Sequence, residues 1–200
     1  MSADTLSPRL ASLLALQRAE EPATLIQPQE VTAGDLIRGL EDGTYDAGIA
    51  LAGTTTVFSM NAQPLWADEL ALAVPLRSPL LAYPEVPLDA LLRYPLLQWC
   101  LRACDALSKQ VAARFGPEMH SVKEVTSFDL LAVLVAAGFA VGIAPRSHIA
   151  RARGWGVAMR PLTNGPYLIS TQLLRKANGS ARAVERFAER AVKVAATEAA

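Results

Sequence analysis

Short apolar runs that follow directly on amphipathic helices constrain the fold of this chain most strongly. Residues 47–52 form such a run, which is too short for a stable helix and indicates a buried strand. It follows a helical segment in which Thr32 and Asp35 have the spacing of a capping box, and Gly43 ends that segment. A helix and a strand separated by only a few residues are typical of parallel βαβ units. The sequence therefore predicts an α/β fold with helices on both faces of a sheet.

The same order of elements returns in the second half of the chain. Ser127 has the position of an N-cap for one predicted helix, and Gly138 has the position of its stop signal. Apolar runs predict strands at residues 70–74, 96–99, 122–125 and 140–144, with helices at residues 88–92, 105–115 and 127–138. The polar residues 54–61 between the two halves predict a loop. A repeated order of this kind predicts two similar lobes.

The last two elements predict where the lobes divide. Residues 167–174 predict a long strand, and residues 181–196 predict an amphipathic helix after a turn. Neither element has a partner in the second lobe, so we expect both to return to the first lobe. The chain then crosses between lobes twice, near residues 64–70 and near residues 161–166.

These crossings give the expected domain boundaries. We expect lobe I to comprise residues 1–69 together with residues 165–200, and lobe II to comprise residues 70–164. Two crossings make a hinged cleft, and clefts between lobes are where small ligands bind. The sequence therefore predicts a ligand site between the lobes.

Composition and charge restrict the partners of the chain. Hydrophobic residues make up 52% of its 200 residues, which is ample for a core of this size. Its 19 basic residues equal its 19 acidic residues, and no basic cluster could neutralise a row of phosphates. No segment has the length of a membrane span, and residues 1–10 lack a secretory signal. We therefore expect a cytoplasmic protein that has no membrane partner and binds nucleic acid poorly by itself.

Three ordered segments carry a resemblance to a known family. They are PRLASLLALQRAEEP at residues 8–22, DLIRGLEDGTYDAGIAL at residues 35–51 and VTSFDLLAVLVAAGFAVGIAPRSHI at residues 125–149. In this order they resemble the effector-binding domain of LysR-type transcriptional regulators, along nearly the whole chain. The resemblance implies two Rossmann-like lobes joined by two crossover strands, in a type II periplasmic-binding-protein-like fold.

The resemblance also implies that some family elements are absent. Family members carry an N-terminal helix-turn-helix that reads DNA, and no such segment precedes Ser2 in this sequence. We expect contact with DNA only through that absent part. The same alignment places Ser2 at the end of the family's first strand, so we expect this strand to be absent or cut. An empty slot in a sheet exposes unpaired backbone and invites pairing with another chain.

Candidate ligand-binding residues lie where strands end and helices begin. Free N–H groups at helix N-termini attract anions, and ligands of open α/β folds bind at the carboxyl ends of strands. The resemblance supports Ser2 and Thr32 most, because hydroxyl residues at these positions often hold an effector carboxylate in the family. The complete set of candidates is Ser2, Thr32, Gln98, Arg102, Thr126, Ser127, Phe128 and Pro145.

Each candidate has an alternative that needs no ligand. Thr32 and Ser127 could serve only as helix caps, which is compatible with binding. Arg102 could offer its guanidinium to a carboxylate, but a solvated surface arginine is the favoured interpretation. For Trp99 and Phe128, core packing is favoured over stacking on a ligand.

Cysteine and histidine usage gives little support for metal or redox chemistry. Tetrahedral zinc needs about four ligands, and His120 and His148 are isolated along the chain. Cys100 and Cys104 are the only cysteines, and free thiols that pack as small hydrophobes are favoured over a redox sensor. No cofactor motif and no catalytic acid, base or nucleophile set is visible. We expect neither a metal nor a cofactor.

The residues and the resemblance together predict a sensor rather than an enzyme. We expect a small anionic or polar effector to bind between the lobes and to bias the attached DNA-binding domains. We also expect a homodimer, or a tetramer at full length. The helix at residues 6–17 is a candidate dimer surface, with burial inside its own lobe as the alternative. Two rivals are a solute-binding receptor, which the missing secretion signal disfavours, and a biosynthetic enzyme acting on small acids.

Overall fold

A computed structural model describes residues 1, 5–52, 60–99, 122–125, 127–177 and 181–197. The chain divides into two compact units. Unit 1 comprises Met1–Ala67 and Ser170–Ala200, and unit 2 comprises Asp68–Ile169. Among the described residues, no helix is long and apolar enough to span a membrane.

Helices and strands alternate along most of the described chain. The helices are α1 (Pro8–Glu20), α2 (Ala33–Asp42), α3 (Leu88–Leu91), α4 (Phe128–Ala136), α5 (Arg146–Arg151) and α6 (Arg182–Thr197), with short 3-10 turns at Pro79–Ala82 and Ala152–Trp155. The strands are β1 (Gly48–Leu51), β2 (Met60–Pro75), β3 (Leu96–Trp99), β4 (Val122–Val125), β5 (Val141–Pro145), β6 (Val157–Arg160) and β7 (Leu168–Lys176). Strands β2 and β7 each contribute residues to both units.

Unit 1 has helices on both faces of its strands. Strand β1 pairs antiparallel with β7, so that Ile49 lies opposite Leu173. Helix α2 covers one face, where Leu36 and Leu40 pack with Ala50. Helices α1 and α6 cover the other face, where the buried side chains include Leu10, Leu13, Ile49, Leu173, Ala188 and Ala191. Strand β1 is therefore buried from both sides.

Charged residues join α1 to α6 along their shared edge. Arg190 is 6% exposed and donates from Nε to Glu20 and from Nη1 to Gln17 and Glu21. Arg186 pairs with Glu21 as well. A planar guanidinium suits this arrangement because its donors form a rigid fork.

Unit 2 contains a mixed sheet with a helix packed closely on it. Strand β3 pairs parallel with both β4 and β5, whereas β2 pairs antiparallel with β5 and β6. A Cβ at Gly142 would lie 2.5 Å from Leu131 Cδ2, so glycine lets α4 approach β5. The core around this contact includes Trp99, Phe128, Leu131, Val135, Ile149 and Val157.

Local signals in the sequence predicted the ends of several helices correctly. Thr32 and Ser127 each accept a hydrogen bond from a backbone N–H in the first turn of a helix, as predicted, and Ser7 caps α1 in the same way. Gly43 follows α2 with φ +86° and Gly138 follows α4 with φ +79°, a region that favours glycine. The predicted α/β class is confirmed.

Other expectations need correction. Residues 60–61 belong to β2 rather than to a loop, and β2 begins ten residues before the predicted Leu70. Helix α5 and strand β6 were not expected from the sequence. The predicted parallel pairing is found between β3 and β4 and between β3 and β5. The pairs β1–β7, β2–β5 and β2–β6 are antiparallel, which the sequence did not predict. The predicted helix at residues 105–115 and the turn before α6 lie outside the described residues.

Candidate functional site

The parallel strands of unit 2 bring several candidate residues to one edge. In the β3–β4 ladder Trp99 lies opposite Val125, and in the β3–β5 ladder Gln98 lies opposite Ile143. Pro145 ends β5 two residues beyond Ile143. The carboxyl ends of β3, β4 and β5 therefore meet at the same edge, which we call the carboxyl edge of unit 2. Ligands of open α/β folds bind at this kind of edge.

Two of the candidates at this edge, a glutamine and a proline, are buried. Gln98 is 4% exposed and engaged in an interaction, as a buried amide must be. Pro145 is buried, lies opposite Leu70 of β2 and precedes the first residue of α5. Both positions are fixed by strand pairing, so the edge is preorganised on regular secondary structure.

Three aromatic rings pack together at the carboxyl edge. The ring centroids of Trp99 and Phe128 are 5.8 Å apart, and those of Trp99 and His148 are 4.8 Å apart. The Phe128 and His148 centroids are 5.4 Å apart in an edge-to-face arrangement. Phe128 is 8% exposed, which agrees with the core packing favoured from the sequence. His148, which was considered from the sequence only as a metal ligand, completes this cluster.

His148 is held in its neutral form. Burial lowers the pKa of His148 to about 4; the charge of Arg151 also lowers it, and Asp68 opposes the shift. The Nδ1 of His148 lies 3.3 Å from Ser147 Oγ. At neutral pH this ring therefore adds an uncharged, polarisable surface rather than a cation.

Acidic residues of β2 hold the first turn of α5 at the same edge. The backbone N–H of Ser147 donates to Asp68 Oδ2 at 3.2 Å. Arg146 Nη1 donates to Glu69 Oε2 at 2.8 Å, and the Arg146 side chain is half exposed. Arg146 is thus a cation at the carboxyl edge whose charge is already paired with Glu69. The sequence did not predict Asp68 or Glu69 at this edge, because β2 was expected to begin beyond them.

Ser127 opens α4 at this edge. Its Oγ accepts a hydrogen bond from the Leu130 N–H at 3.2 Å, and the residue is exposed. The bond uses one lone pair of the hydroxyl and leaves its proton for another acceptor. Capping and ligand binding by Ser127 are therefore chemically compatible.

Thr32 lies in unit 1 and uses its hydroxyl in two ways. Oγ1 accepts from the Asp35 N–H at 3.2 Å and donates to Asp35 Oδ2 at 2.6 Å. The hydrogen bond from Thr32 and the pairing with Arg38 hold the pKa of Asp35 below its usual value. An acceptor that approaches Thr32 must therefore compete with the Asp35 carboxylate for the hydroxyl proton.

Some of the residues considered from the sequence belong to parts of the chain that the structure does not describe. Ser2, Arg102 and Thr126 lie outside the described residues, as do Cys100, Cys104 and His120. Within the ranges that the structure describes, no group of three or more histidine, cysteine, aspartate or glutamate side chains could hold a metal ion.

Comparisons with known proteins agree with this architecture. The family model described as LysR substrate binding domain matches residues 1–196. A search of curated protein sequences found no match.

Solved structures of 18–19% identity share the fold. The BenM effector binding domain with its effector benzoate has a TM-score of 0.79 at 19% identity, over 95% of this chain and 87% of that chain. A full-length BenM mutant has the same TM-score and identity, over 95% of this chain and 64% of that chain. Full-length CbnR complexed with target DNA has a TM-score of 0.76 at 18% identity, over 97% of this chain and 66% of that chain.

The chain covers a larger share of an isolated effector binding domain than of a full-length regulator. The chain spans 64% of full-length BenM and 87% of the BenM effector binding domain. The order of elements, the mixed α/β architecture and the family match over residues 1–196 lead to one assignment. The chain belongs to the LysR substrate binding domain family.

Proposed function

We propose that this domain senses a small anionic or polar effector for a LysR-type transcriptional regulator. One observation carries the proposal: in a chain of this family, the parallel strands bring Gln98, Ser127 and Pro145 to one edge beside an aromatic cluster. The sensor assignment excludes turnover of the ligand. Consumption of a bound ligand by the purified chain would contradict it.

The chemistry of the carboxyl edge suits a small carboxylate. Ser127 has a hydroxyl proton that its cap bond does not use, and the first turn of α4 presents backbone N–H groups beside it. The rings of Trp99, Phe128 and neutral His148 are buried behind this edge, so the packing beneath it carries no charge. BenM was solved with benzoate, an aromatic carboxylate. Benzoate and other small aromatic acids are therefore the first ligands to test.

Unit 1 contributes Thr32 to the proposed site, as the resemblance implies for this position. Its hydroxyl already bonds Asp35, and Arg38 pairs with the same carboxylate. We propose that the bound effector replaces the Asp35 carboxylate as the acceptor of the hydrogen bond from the Thr32 hydroxyl. Ser2, Arg102 and Thr126 stay predicted contacts.

Regulation follows if the effector binds one arrangement of the two units more tightly than another. In the whole protein, a helix-turn-helix would read this change out on DNA in the cytoplasm. We also propose a homodimer, or a tetramer at full length. Leu10 and Leu13 of α1 are buried in unit 1 and its other two leucines are partly buried, so pairing through this helix would have to use its exposed side, including Ala11, Ser12 and Ala15.

A thermal-shift screen with small carboxylates tests the proposal. A ligand at about 100 times its Kd should stabilise the folded state by about 2.7 kcal/mol. Ser127→Ala should abolish most of the shift. Ser78→Ala is the control, because the Ser78 hydroxyl also accepts a hydrogen bond from a backbone N–H at the start of a helical turn of unit 2 and is not a candidate contact. Equal shifts for the wild type and Ser127→Ala would contradict the assignment.

A further inference from the structure

The first turn of α5, at the carboxyl edge of unit 2, already binds a carboxylate of the protein itself. The backbone N–H of Ser147 donates to Asp68 Oδ2 at 3.2 Å, and Asp68 Oδ1 accepts from the Glu69 N–H at 2.8 Å. At the first turn of α4, by contrast, the capping group is the uncharged hydroxyl of Ser127. A ligand carboxylate therefore meets a neutral cap at α4 and a negative charge at α5.

The guanidinium beside Asp68 does not offset this negative charge. Arg146 Nη1 lies 2.8 Å from Glu69 Oε2, so its charge is paired within the protein. Asp68, Glu69 and Arg146 together carry one net negative charge at neutral pH, because both carboxyl groups are ionised. Asp129 adds an exposed carboxylate in the first turn of α4. A second anionic group on an effector would therefore meet repulsion from this group of residues.

The spacing of the strands brings this repulsion within range of a ligand at α4. Strands β4 and β5 are both neighbours of β3, so two strand spacings, or about 10 Å, separate them. The two carboxylates of a para-substituted benzene ring span more than half of this distance. Like charges at such a separation repel by several times the thermal energy near a protein surface. The first carboxylate can bind at Ser127, but a second one that points along the edge is disfavoured.

We propose that the effector carries a single carboxylate, and that Asp68 and the Glu69–Arg146 pair exclude dicarboxylates from the site. This inference rests on the proposed function, because it concerns the ligand of the same edge. Asp68 is the specificity-determining residue, since the charge of Glu69 is paired and that of Asp68 is bonded only to backbone N–H groups in the contacts described above. The selection depends on charge, so a neutral group with the shape of a carboxylate is accepted.

The hydrogen bonds of Asp68 do not require its charge. In Asp68→Asn, the amide oxygen can still accept from the Ser147 N–H and hold the first turn of α5. In Glu69→Gln, the amide oxygen can still accept from Arg146, but the guanidinium loses its counter-charge. Amide substitutions therefore separate the effect of charge on ligand selection from the effect of the hydrogen bonds on structure.

Three para-substituted benzoates of matched shape test the inference by calorimetric titration. Terephthalate carries a second carboxylate, para-carbamoylbenzoate a neutral amide and para-amidinobenzoate a cation. In the wild type, terephthalate should bind about tenfold more weakly than the amide, and the amidine should bind at least as tightly as the amide. Asp68→Asn should lower the ratio of the terephthalate Kd to the amide Kd by roughly threefold or more. Glu189→Gln, which removes an exposed carboxylate of α6 in unit 1, should leave this ratio unchanged.

Equal affinity of the wild type for terephthalate and the amide would overturn the inference, as would an unchanged ratio in Asp68→Asn. If Asp68→Asn does not fold, Glu69→Gln takes its place, because the guanidinium that it releases should tighten terephthalate binding about tenfold. Failure of the amide to bind where benzoate binds would assign the selection to size and contradict the inference, and so would failure of benzoate and all three ligands to bind. The proposed function is judged separately, by the thermal-shift screen and Ser127→Ala.

Discussion

The imidazole of His148 packs against the indole of Trp99, with 4.8 Å between the ring centroids. Phe128 completes the cluster at the carboxyl edge of unit 2. Because the imidazole is buried beside these two rings, the folded protein holds it neutral at pH 7. This contact links the stability of unit 2 to pH and keeps the packing beneath the proposed effector contacts uncharged.

Stability should fall as the pH drops from 7 to 5. The pKa of His148 is lowered from 6.5 to about 4 in the folded protein, so in this range the unfolded chain binds a proton that the folded chain does not. The expected loss in the free energy of unfolding is about 2 kcal/mol. Urea denaturation at both pH values measures it, and His148→Phe should remove most of the difference. A difference of the same size in His148→Phe would assign the effect to other groups.

Protonation of His148 and protonation of the carboxylates lower the stability in different pH ranges. The pKa values of Glu20, Glu21, Asp35 and Asp42 are lowered in the folded protein, so their contributions are lost mainly below pH 4.5. A second, steeper loss of stability is therefore expected at more acidic pH, in the wild type and in His148→Phe alike.

Substitution of Arg190 should destabilise unit 1. Arg190→Met removes the donor that Gln17, Glu20 and Glu21 share, and it leaves Gln17 buried without that partner. We expect the folding equilibrium constant to fall by at least about tenfold. Lys193→Ala is the control, since its exposed side chain lies 3.7 Å from Glu20 and should contribute little. Equal midpoints in urea for the two variants would contradict this role of Arg190.

Gly142→Ala should destabilise unit 2 by steric crowding. The added Cβ would lie 2.5 Å from Leu131 Cδ2 and 2.9 Å from Leu131 Cγ, and Leu131 is fully buried. Overpacking of this kind costs about 1–3 kcal/mol. Gly154→Ala meets no atom within 4 Å and is the matched control. If both variants unfold at the same urea concentration, α4 does not pack on β5 as described.

Asp35→Asn should increase affinity for an anionic effector. The substitution removes a negative charge beside the Thr32 hydroxyl while an amide can still accept its proton. Loss of about 1 kcal/mol of repulsion corresponds to about fivefold tighter binding. Asp42→Asn, at the other end of α2, should leave the Kd unchanged. Weaker binding by Asp35→Asn would exclude Thr32 from the site.

Local features of this protein were predictable from sequence because they depend on neighbouring residues. The N-caps at Ser7, Thr32 and Ser127 bond to N–H groups three residues ahead, so the sequence contains the whole interaction. The short strands at residues 48–51 and 96–99 were visible as apolar runs between helices. Fold class follows from the order of such elements.

Features that depend on distant parts of the chain were not predictable in this way. The first residues of β2 alternate poorly between apolar and polar, and their strand conformation depends on pairing with other strands. Asp68 meets Ser147, and Trp99 meets His148, across more than 45 residues of chain. The order of the strands predicted the carboxyl edge. The packing of the three rings beside it and the positions of Asp68 and Glu69 depend on these long-range contacts.

We propose that the carboxyl edge of unit 2 binds the effector, and calorimetric titration tests this proposal most directly. The ligand is the small carboxylate that gives the largest thermal shift, and the proteins are the wild type, Ser127→Ala and Ser78→Ala. Loss of a hydrogen bond to a charged group costs about 1.5–3 kcal/mol, so Ser127→Ala should weaken binding by about ten- to a hundredfold. Ser78→Ala should bind like the wild type. Unchanged affinity in Ser127→Ala would contradict the account.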